Sequence, residues 1–290
     1  MEDFATESAS CACGSNVRLR ALIHLLSMEL FGQSLLLPDF PKLRAIRGLG
    51  MTDKKCYAEI LANRFDYTNT YYDREPRLDF TETHPSMHGL YDFILSADVF
   101  EHIAPPIERA FEEVHRLLKP CGFVVFTLYC NAIDRMREHF SDLHEYRLVR
   151  LGDSTVLLNR KRDGELEVRE DLVFHAGVGA TLEMREFGVT ELKAKLFAAG
   201  FIEVHLLTED VPELGIVLDH EVSQPAIARR EPFVMDLSTR RQLIDLWRTS
   251  QWREALLAKR IQLASESRWV QLGRKLGIGP NFSEDPRPPE

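Results

Sequence analysis

Long apolar runs are missing from this sequence of 290 residues. The longest candidates, Leu35–Leu37 and Phe123–Leu128, fall far short of the ~20 residues that a helix needs to cross a bilayer. The segment Met1–Ser10 also lacks the basic flank and apolar stretch of a secretory signal. We therefore expect no transmembrane segment and no secretory signal.

Cysteine is scarce, with five in the chain. An odd and sparse set predicts free thiols in a reducing compartment, with the cytoplasm as the default location. Cys11 and Cys13 lie close together, but a structural zinc site needs a second well-spaced pair of ligands, which the sequence does not offer. We therefore predict no metal site.

A surplus of positive charge is also absent. Lys and Arg number 36 against 45 Asp and Glu, which gives a formal charge of −9. A general nucleic-acid binder needs the opposite balance to displace counterions from phosphates, so we predict no nucleic-acid partner. With 44% hydrophobic and 28% charged residues the chain can bury a full core, which excludes a disordered or fibrous protein.

Helical and strand patterns alternate along the first half of the chain. Regular spacing of apolar residues predicts the helices, and β-branched, aromatic or continuous apolar runs predict the strands. In chain order the predicted elements are helix 16–31, strand 42–47, helix 52–65, strand 67–72, strand 91–95, helix 107–118 and strand 123–128. This alternation is typical of an α/β sheet.

Residues 130–186 break that alternation with short strand-like segments around Lys161–Gly164, a turn with Asp-Gly at its centre. We interpret this stretch as a small β-rich insertion. A helix at 190–199 and a strand at 201–207 then resume the earlier pattern. The remainder is predicted to be a linker and a mostly helical tail.

The tail differs in composition from the rest of the chain. Residues 229–275 hold eleven Lys and Arg against five Asp and Glu, and all three Trp lie there, at positions 247, 252 and 269. A basic amphipathic helix of this kind can bind a membrane or a partner. A helix that covers an acidic domain has the same composition and is the commoner arrangement.

The most informative stretch runs from Tyr91 to Tyr129. It contains Tyr91-Asp92-Phe93-Ile94-Leu95-Ser96-Ala97-Asp98, then Glu101-His102, then Arg116-Leu117-Leu118-Lys119-Pro120-Cys121-Gly122 before an apolar run. This block resembles the class I S-adenosylmethionine-dependent methyltransferases. In that family an acidic residue opens the fourth strand, a Glu-His pair follows it, and an Arg-x-Leu-Lys-Pro-Gly-Gly turn feeds the fifth. Cys121 replaces the first Gly, and Gly122 is expected to supply the positive φ.

The resemblance implies the fold and the cofactor. We expect an α/β protein with a Rossmann-like, mostly parallel, doubly wound sheet that binds S-adenosylmethionine. The expected domains are an N-terminal helical segment (1–41), the cofactor-binding domain (42–210) with its insertion at about 130–186, and a helical extension with a frayed tail (211–290).

The resemblance also locates a glycine-rich loop, which in the family reads Asp/Glu-x-Gly-x-Gly-x-Gly and approaches the methionine part of the cofactor. Gly48 and Gly50 are expected in this loop, between the first strand and its helix. The acidic position falls on Ile46 and the third Gly on Thr52. We predict that Gly48, Gly50 and Thr52 contact the cofactor, although Thr52 or Asp53 also suits a helix cap.

Further cofactor contacts are implied on neighbouring strands. Tyr72 and Asp73 end the second strand, where the family places an acidic residue on the ribose hydroxyls. Asp79 and Phe80 lie where many members hold the adenine amine and ring, with a solvated loop acid or a helix cap as the alternative for Asp79. The end of the fourth strand adds two more predicted cofactor residues, Ser96 and Ala97.

Several histidines could serve as a base. His102 follows the fourth strand near the expected methyl donor, where an imidazole can accept a proton at neutral pH. We predict His102 as the catalytic residue, with a site-lining role as the alternative. His139, His144 and His175 in the insertion are further candidates, each also suited to ordinary packing.

Two other features bear on the ligand. Arg18 and Arg20, at the start of the first helix, could hold a carboxylate of the cofactor or of an acidic acceptor, or could be surface residues. Segments 67–70 and 174–185 are similar to bacterial methyltransferases found among proteins of glycan and cell-surface polymer biosynthesis. That similarity implies a sugar or glycan hydroxyl as the acceptor.

The predicted function is therefore transfer of a methyl group from S-adenosylmethionine to an oxygen of a sugar, glycan or other small polar molecule. Ile46 and Thr52 motivate an alternative, a catalytically inactive methyltransferase-like protein that binds a partner. A nucleotide-binding oxidoreductase is disfavoured, because the segment Gly48–Asp53 lacks the third Gly of the dinucleotide fingerprint. A homo-oligomer is compatible with either function.

Overall fold

The computed structural model describes residues 13–131, 134–174, 181–218 and 223–266. Its helices are α1 (Val17–Phe31), α2 (Lys55–Arg64), α3 (Ile107–Leu117), α4 (Val189–Ala198) and α5 (Leu237–Glu266). Its strands are β1 (Arg47–Met51), β2 (Asp66–Thr70), β3 (Tyr91–Ala97), β4 (Leu118–Leu128), β5 (Arg137–Glu138), β6 (Glu145–Leu151), β7 (Ser154–Arg160), β8 (Leu166–Arg169), β9 (Arg185–Glu186), β10 (Glu203–Leu206) and β11 (Gln224–Arg229).

Six of these strands form one sheet in the order β10-β11-β4-β3-β1-β2. The strands β2, β1, β3 and β4 run parallel to one another, whereas β11 is antiparallel to both β10 and β4. The predicted α/β class, with a Rossmann-like and mostly parallel sheet, is confirmed.

Alternation along the central strands sends side chains into a core on each face of the sheet. Leu49, Ile94 and Val124 join residues of α3 and α4 in one hydrophobic cluster. Phe93 and Phe123 instead belong to an aromatic chain, with their ring centroids 6.2 Å apart, that continues through Phe65 and Phe40 to Phe31. Because both faces are buried, β3 and β4 read as near-continuous apolar runs.

The first helix begins and ends where local chemistry dictates. The Asn16 side chain accepts a hydrogen bond from the Leu19 amide at 3.0 Å, which satisfies one of the unpaired amides of the first turn. Gly32 ends the helix in the left-handed conformation, with φ of 70°. None of the helices that the structure describes is long and apolar enough to cross a membrane.

The insertion is β-rich, as predicted. β6, β7 and β8 form a three-stranded antiparallel sheet, and β5 pairs with β9. The turn at Lys161–Gly164 joins β7 to β8 with Gly164 at φ of 89°, so the predicted hairpin is present.

Two predicted elements are wrong. The first strand covers Arg47–Met51 and not 42–47, because Leu43 and Ile46 are buried in the turns that precede it. The strand Gln224–Arg229 lies inside the sheet, between β10 and β4, within the segment 211–290 that was predicted to be a helical extension. The described chain divides at a later point, into Met1–Met235 and Asp236–Glu290.

In the second unit, the described residues are dominated by helix α5. The Asp236 carboxylate accepts hydrogen bonds from the Thr239 amide and the Ser238 hydroxyl, both at 2.8 Å, and so caps the start of the helix. Trp269 and the predicted frayed tail from Asn281 lie outside the described residues.

Candidate functional site

The candidate site lies at the carboxyl ends of β1 and β3. β1 pairs with β2 on one side and with β3 on the other, so the order in which the strands follow along the chain reverses between β1 and β3. Open α/β sheets bind ligands at such a switch point. The segments that follow the two strands, Thr52–Lys54 and Asp98–His102, therefore form the centre of the site.

Gly48 and Gly50 are not in that loop, and the predicted position is wrong. Both lie within β1. A Cβ on Gly48 would overlap the ring of Phe93, and one on Gly50 would overlap the Tyr67 hydroxyl and the Asp53 carboxylate. The space beside these glycines is filled by the protein, which explains the residue type without a ligand.

The loop after β1 starts with Thr52, which is exposed and has a φ of 56°. The Thr52 amide donates to the Thr70 carbonyl at 2.8 Å. Asn69 exchanges two hydrogen bonds of 2.9 Å with the backbone of Asp53. The loop is therefore fastened to β2 in a turn that few residues other than Gly, Asn and Asp adopt readily.

Asp53 points back into the core. Its carboxylate accepts hydrogen bonds from the Tyr57 hydroxyl, at 2.5 Å, and from the Tyr67 hydroxyl. Burial raises the pKa of Asp53 to about 7, although the two hydroxyls work in the opposite direction. Because both carboxylate oxygens are engaged, Asp53 is a structural acid and not a ligand-binding one.

The predicted ribose and adenine residues lie beyond β2. Tyr72 and Asp73 are exposed, and Phe80 is buried. Asp79 accepts hydrogen bonds from the amide and hydroxyl of Thr81 at 2.8 and 2.7 Å, the turn role that was the alternative for this acid.

The insertion reaches the same edge. The pKa of Tyr146, on β6, is raised by burial and by the proximity of Tyr72 and Asp79. The insertion sheet therefore approaches the residues expected to hold the nucleoside.

At the end of β3, Ser96 is buried, and its hydroxyl has no hydrogen-bond partner among the described residues. Ala97 is partly exposed. Asp98 has a φ of 51°, accepts hydrogen bonds from Thr127 at 2.7 Å and Ser223 at 3.1 Å, and forms an ion pair with Arg18. Arg18 thus binds an acid of the protein.

Glu101 follows in a short 3-10 turn (Phe100–His102) and is 1% exposed. Neither of its carboxylate oxygens has a hydrogen-bond partner in the described part of the chain. Burial, the largest influence, raises the pKa of Glu101 to about 8, while Arg18 and Arg185 act to lower it. A carboxyl group with this pKa is mostly protonated at pH 7.

His102 lies beside it, partly exposed. The Nδ1 atom of His102 is 2.9 Å from the Leu182 carbonyl oxygen. Because a carbonyl oxygen only accepts, Nδ1 carries the proton, and in the neutral ring Nε2 carries the lone pair. This is the tautomer that a proton acceptor needs.

Arg185 joins the insertion to the loop that carries Glu101 and His102. Fully buried on β9, it donates to the carbonyls of Phe100 at 2.9 Å and Ile103 at 2.6 Å and to Glu138 at 2.7 Å. The Met184 amide donates to the Glu101 carbonyl at 2.8 Å. Sequence reasoning missed Arg185 and Glu101, although the Glu-His pair was the available signal for Glu101.

The remaining histidine candidates have other partners. His139 Nε2 is 2.9 Å from the Glu183 carboxylate, and with Glu186 the two residues form a group whose ligand-type atoms lie within 4.8 Å of one another. Glu186 also faces Arg137 at 3.9 Å. The His144 amide donates to Asn159 at 3.0 Å, and His175 lies outside the described residues.

Other residues of the segment Tyr91–Tyr129 have structural roles at the opposite end of the strands. The Asp92 carboxylate accepts from the Arg47 amide at 2.8 Å and from Lys119 at 2.7 Å. Gly122 does not have the expected positive φ. A Cβ at Gly122 would instead come within 3.0 Å of the Lys119 and Tyr91 carbonyls, so a glycine allows close backbone contact there.

The cysteines differ from expectation at one residue. Cys13 is disulfide-bonded, so the prediction of free thiols is wrong there, whereas Cys56, Cys121 and Cys130 are free.

Arg20, the other arginine proposed to hold a carboxylate, binds a backbone group of the protein instead. Its guanidinium donates to the Gly215 carbonyl at 2.6 and 3.1 Å.

The residues at this edge fit S-adenosylmethionine by their chemistry. The cofactor has donors in its ribose hydroxyls, adenine amine and methionine ammonium, and each can be met by an acidic side chain. Exposed Asp73 can accept from hydroxyls, and the two unpartnered oxygens of Glu101 can accept from a donor group. The glycines of β1 do not take part in this fit.

Comparison with known proteins agrees with this chemistry. Residues 66–126 match a family model described as a methyltransferase domain. The matched segment runs from β2 to β4 and contains the loop with Glu101 and His102. No curated protein matches the chain.

Solved structures with a similar fold include several methyltransferases. One is the Burkholderia thailandensis 1,6-didemethyltoxoflavin-N1-methyltransferase bound to S-adenosylhomocysteine, at 15% identity and a TM-score of 0.39, over 75% of this chain and 78% of that one. Another is a sugar N-methyltransferase from Streptoalloteichus, at 15% identity and a TM-score of 0.42, over 75% and 90% of the two chains. A third is an S-adenosylmethionine-dependent methyltransferase from Clostridium acetobutylicum, at 13% identity and 0.41, over 73% and 90%.

The family match covers part of the chain. Residues 66–126 are similar to a methyltransferase domain, and the acidic side chains at this edge of the sheet suit S-adenosylmethionine as the cofactor.

Proposed function

We propose that the protein transfers a methyl group to an oxygen of a sugar, glycan or other small polar acceptor. When bound, S-adenosylmethionine supplies the methyl group on a good leaving group, so the protein must hold the acceptor in line and remove its proton. The observation that carries the proposal is the state of His102, whose Nδ1 donates to the Leu182 carbonyl at 2.9 Å and whose Nε2 can therefore accept a proton.

The surroundings of His102 support a polar acceptor. The insertion segment beside it is rich in charged side chains, with Glu183 and Arg185 both buried. Burying such groups is costly unless they are paired, and each of them has a partner in the protein. Charged groups so close to His102 keep its surroundings polar, which favours a ligand with hydroxyl groups over an apolar one. We also propose a cytoplasmic location, on the basis of the sparse and odd-numbered cysteines.

The test is a transfer assay with labelled S-adenosylmethionine and a panel of sugars, nucleotide sugars and glycans. On the acceptor that is methylated, His102→Gln should lower kcat by about 10²- to 10⁴-fold, the usual contribution of general base catalysis. Affinity for S-adenosylhomocysteine, measured by titration calorimetry, should not change. His144→Gln is the matched control and should keep the wild-type rate.

Other results would redirect the assignment. Full activity of the His102→Gln enzyme would exclude His102 as the base. Methylation of amines alone would show that the acceptor atom is nitrogen. A protein that binds neither S-adenosylmethionine nor S-adenosylhomocysteine, and retains a protein partner instead, would support the inactive alternative.

A further inference from the structure

One buried acid at the switch point is left without a partner. Among the described residues, Glu101 has both carboxylate oxygens buried and free of hydrogen bonds. Such a group is rare in a folded protein and calls for a hydrogen-bond donor. A donor from a ligand would satisfy it.

The charged neighbours of Glu101 are each paired with another residue, although the Nη2 atom of Arg185 has no hydrogen-bond partner among the described residues. Arg18, on α1, pairs with Asp98, and Arg185, on β9, pairs with Glu138. Glu183, which also faces Glu101, pairs with His139. When Glu101 is ionised, the acids of this group (Asp98, Glu101, Glu138 and Glu183) outnumber its two arginines, and a bound cation would offset the excess negative charge.

The first strand offers no acid for such a charge. β1 reads Arg-Gly-Leu-Gly-Met, with Ile46 before it, and contains no carboxylate. Asp53, the nearest acid after β1, has both oxygens occupied by Tyr57 and Tyr67. The segment after β3 faces the same switch point and carries Glu101.

From this arrangement we infer that Glu101 is the carboxylate that binds the ammonium group of the cofactor's methionine end, in place of the acid missing at Ile46. This role rests on the proposed function, because it requires the cofactor. A charge-assisted hydrogen bond from an ammonium to a buried carboxylate is among the stronger polar interactions in proteins. It would satisfy the buried oxygens and neutralise the surplus charge together.

The test compares two ligands that differ in the methionine end. S-adenosylhomocysteine has the ammonium group, whereas 5′-methylthioadenosine keeps the nucleoside and sulfur but lacks the amino acid. Glu101→Gln should weaken S-adenosylhomocysteine by about 10- to 100-fold in titration calorimetry. The same variant should bind 5′-methylthioadenosine as the wild type does. Glu112→Gln, which replaces an exposed acid of α3 paired with Arg116, is the control and should leave both affinities unchanged.

Proton release gives a second measurement. Burial raises the pKa of Glu101 to about 8, so at pH 7 the carboxyl is mostly protonated and must lose its proton to bind a cation. The binding enthalpy of wild type should therefore depend on the ionisation enthalpy of the buffer, and that of Glu101→Gln should not. Cys130, which also faces Glu101, has a pKa raised to about 12 by burial and stays protonated throughout.

The outcomes are distinct. Unchanged S-adenosylhomocysteine affinity in Glu101→Gln would overturn the inference while leaving the proposed function in place. An equal loss for both ligands would also overturn it, because it would show damage to the nucleoside pocket. A wild-type protein that binds neither ligand would instead refute the proposed function.

Discussion

Gly50 shows how a residue chosen for a ligand motif can serve packing instead. A Cβ at this position would overlap the Tyr67 hydroxyl and the Asp53 carboxylate. Gly50→Ala should therefore lower the free energy of unfolding by about 1–3 kcal/mol, the usual cost of overpacking a core. Urea denaturation of the purified protein measures this difference.

A second variant separates packing from other causes. Tyr67→Phe removes the hydroxyl that meets the added methyl group, so Gly50→Ala should cost less in a Tyr67→Phe background than alone. Additive effects in this double-mutant cycle would contradict the proposed contact.

At this scale the sequence predicts residue types better than their roles. The sequence identifies the Glu101-His102 pair as a motif and His102 as a candidate base. The pKa of Glu101, however, is set by its burial and by Arg18 and Arg185, which come from distant parts of the chain. Gly48 and Gly50 were placed in a loop, because a Gly-x-Gly pattern looks the same in a loop and in a strand whose neighbours are large aromatic residues.

Among the elements, the insertion is attached to the site by the Arg185 side chain and by backbone groups of Leu182 and Met184. Arg185 is fully buried and donates to Glu138 and to two loop carbonyls. Arg185→Gln should lower the free energy of unfolding by about 3–5 kcal/mol, because Glu138 would lose its buried partner. Arg137→Gln, on the adjacent strand β5 with an exposed side chain, should cost less than about 1 kcal/mol.

Thermal unfolding followed by circular dichroism provides the comparison. Similar melting temperatures for the Arg185 and Arg137 variants would show that the buried network does not hold the insertion in place.

Element prediction succeeded where one strong local signal was present. α1, α3, β3 and the hairpin of β7 and β8 have clear periodicity, caps or turn residues. β11 was missed because its apolar core is only Ala226–Ala228, with Pro225 before it, and proline disfavours a central strand. Its pairing with β4 and β10 supplies what the local sequence does not.

For the whole molecule, two buried acids set a pH dependence of stability. The pKa of Asp53 is raised from 3.8 to about 7 and that of Glu101 from 4.5 to about 8, in each case mainly by burial. A raised pKa in the folded state means that the contribution to stability is complete below the unfolded pKa. It is then lost as pH rises through the folded pKa.

The unfolding free energy should therefore fall between about pH 4 and pH 8, by up to about 1.4 kcal/mol per pH unit for each acid over its own interval. Asp53→Asn should remove the Asp53 part, so the stability of wild type relative to this variant should decrease from pH 4 to pH 7. Denaturant titrations at a series of pH values measure the difference. A difference that stays constant with pH would show that Asp53 is not a buried acid of raised pKa.

The attachment of β9 to the site has a consequence for how the protein can diversify. Arg185 and the Met184 amide bind the carbonyl groups of Phe100, Ile103 and Glu101, and every amino acid carries a backbone carbonyl. Side chains of that loop can thus be substituted without loss of these hydrogen bonds, as long as the insertion keeps its arginine. Changes in the insertion and changes in the loop can then accumulate independently, and a foreign insertion grafted onto this sheet would need an arginine at the position of Arg185.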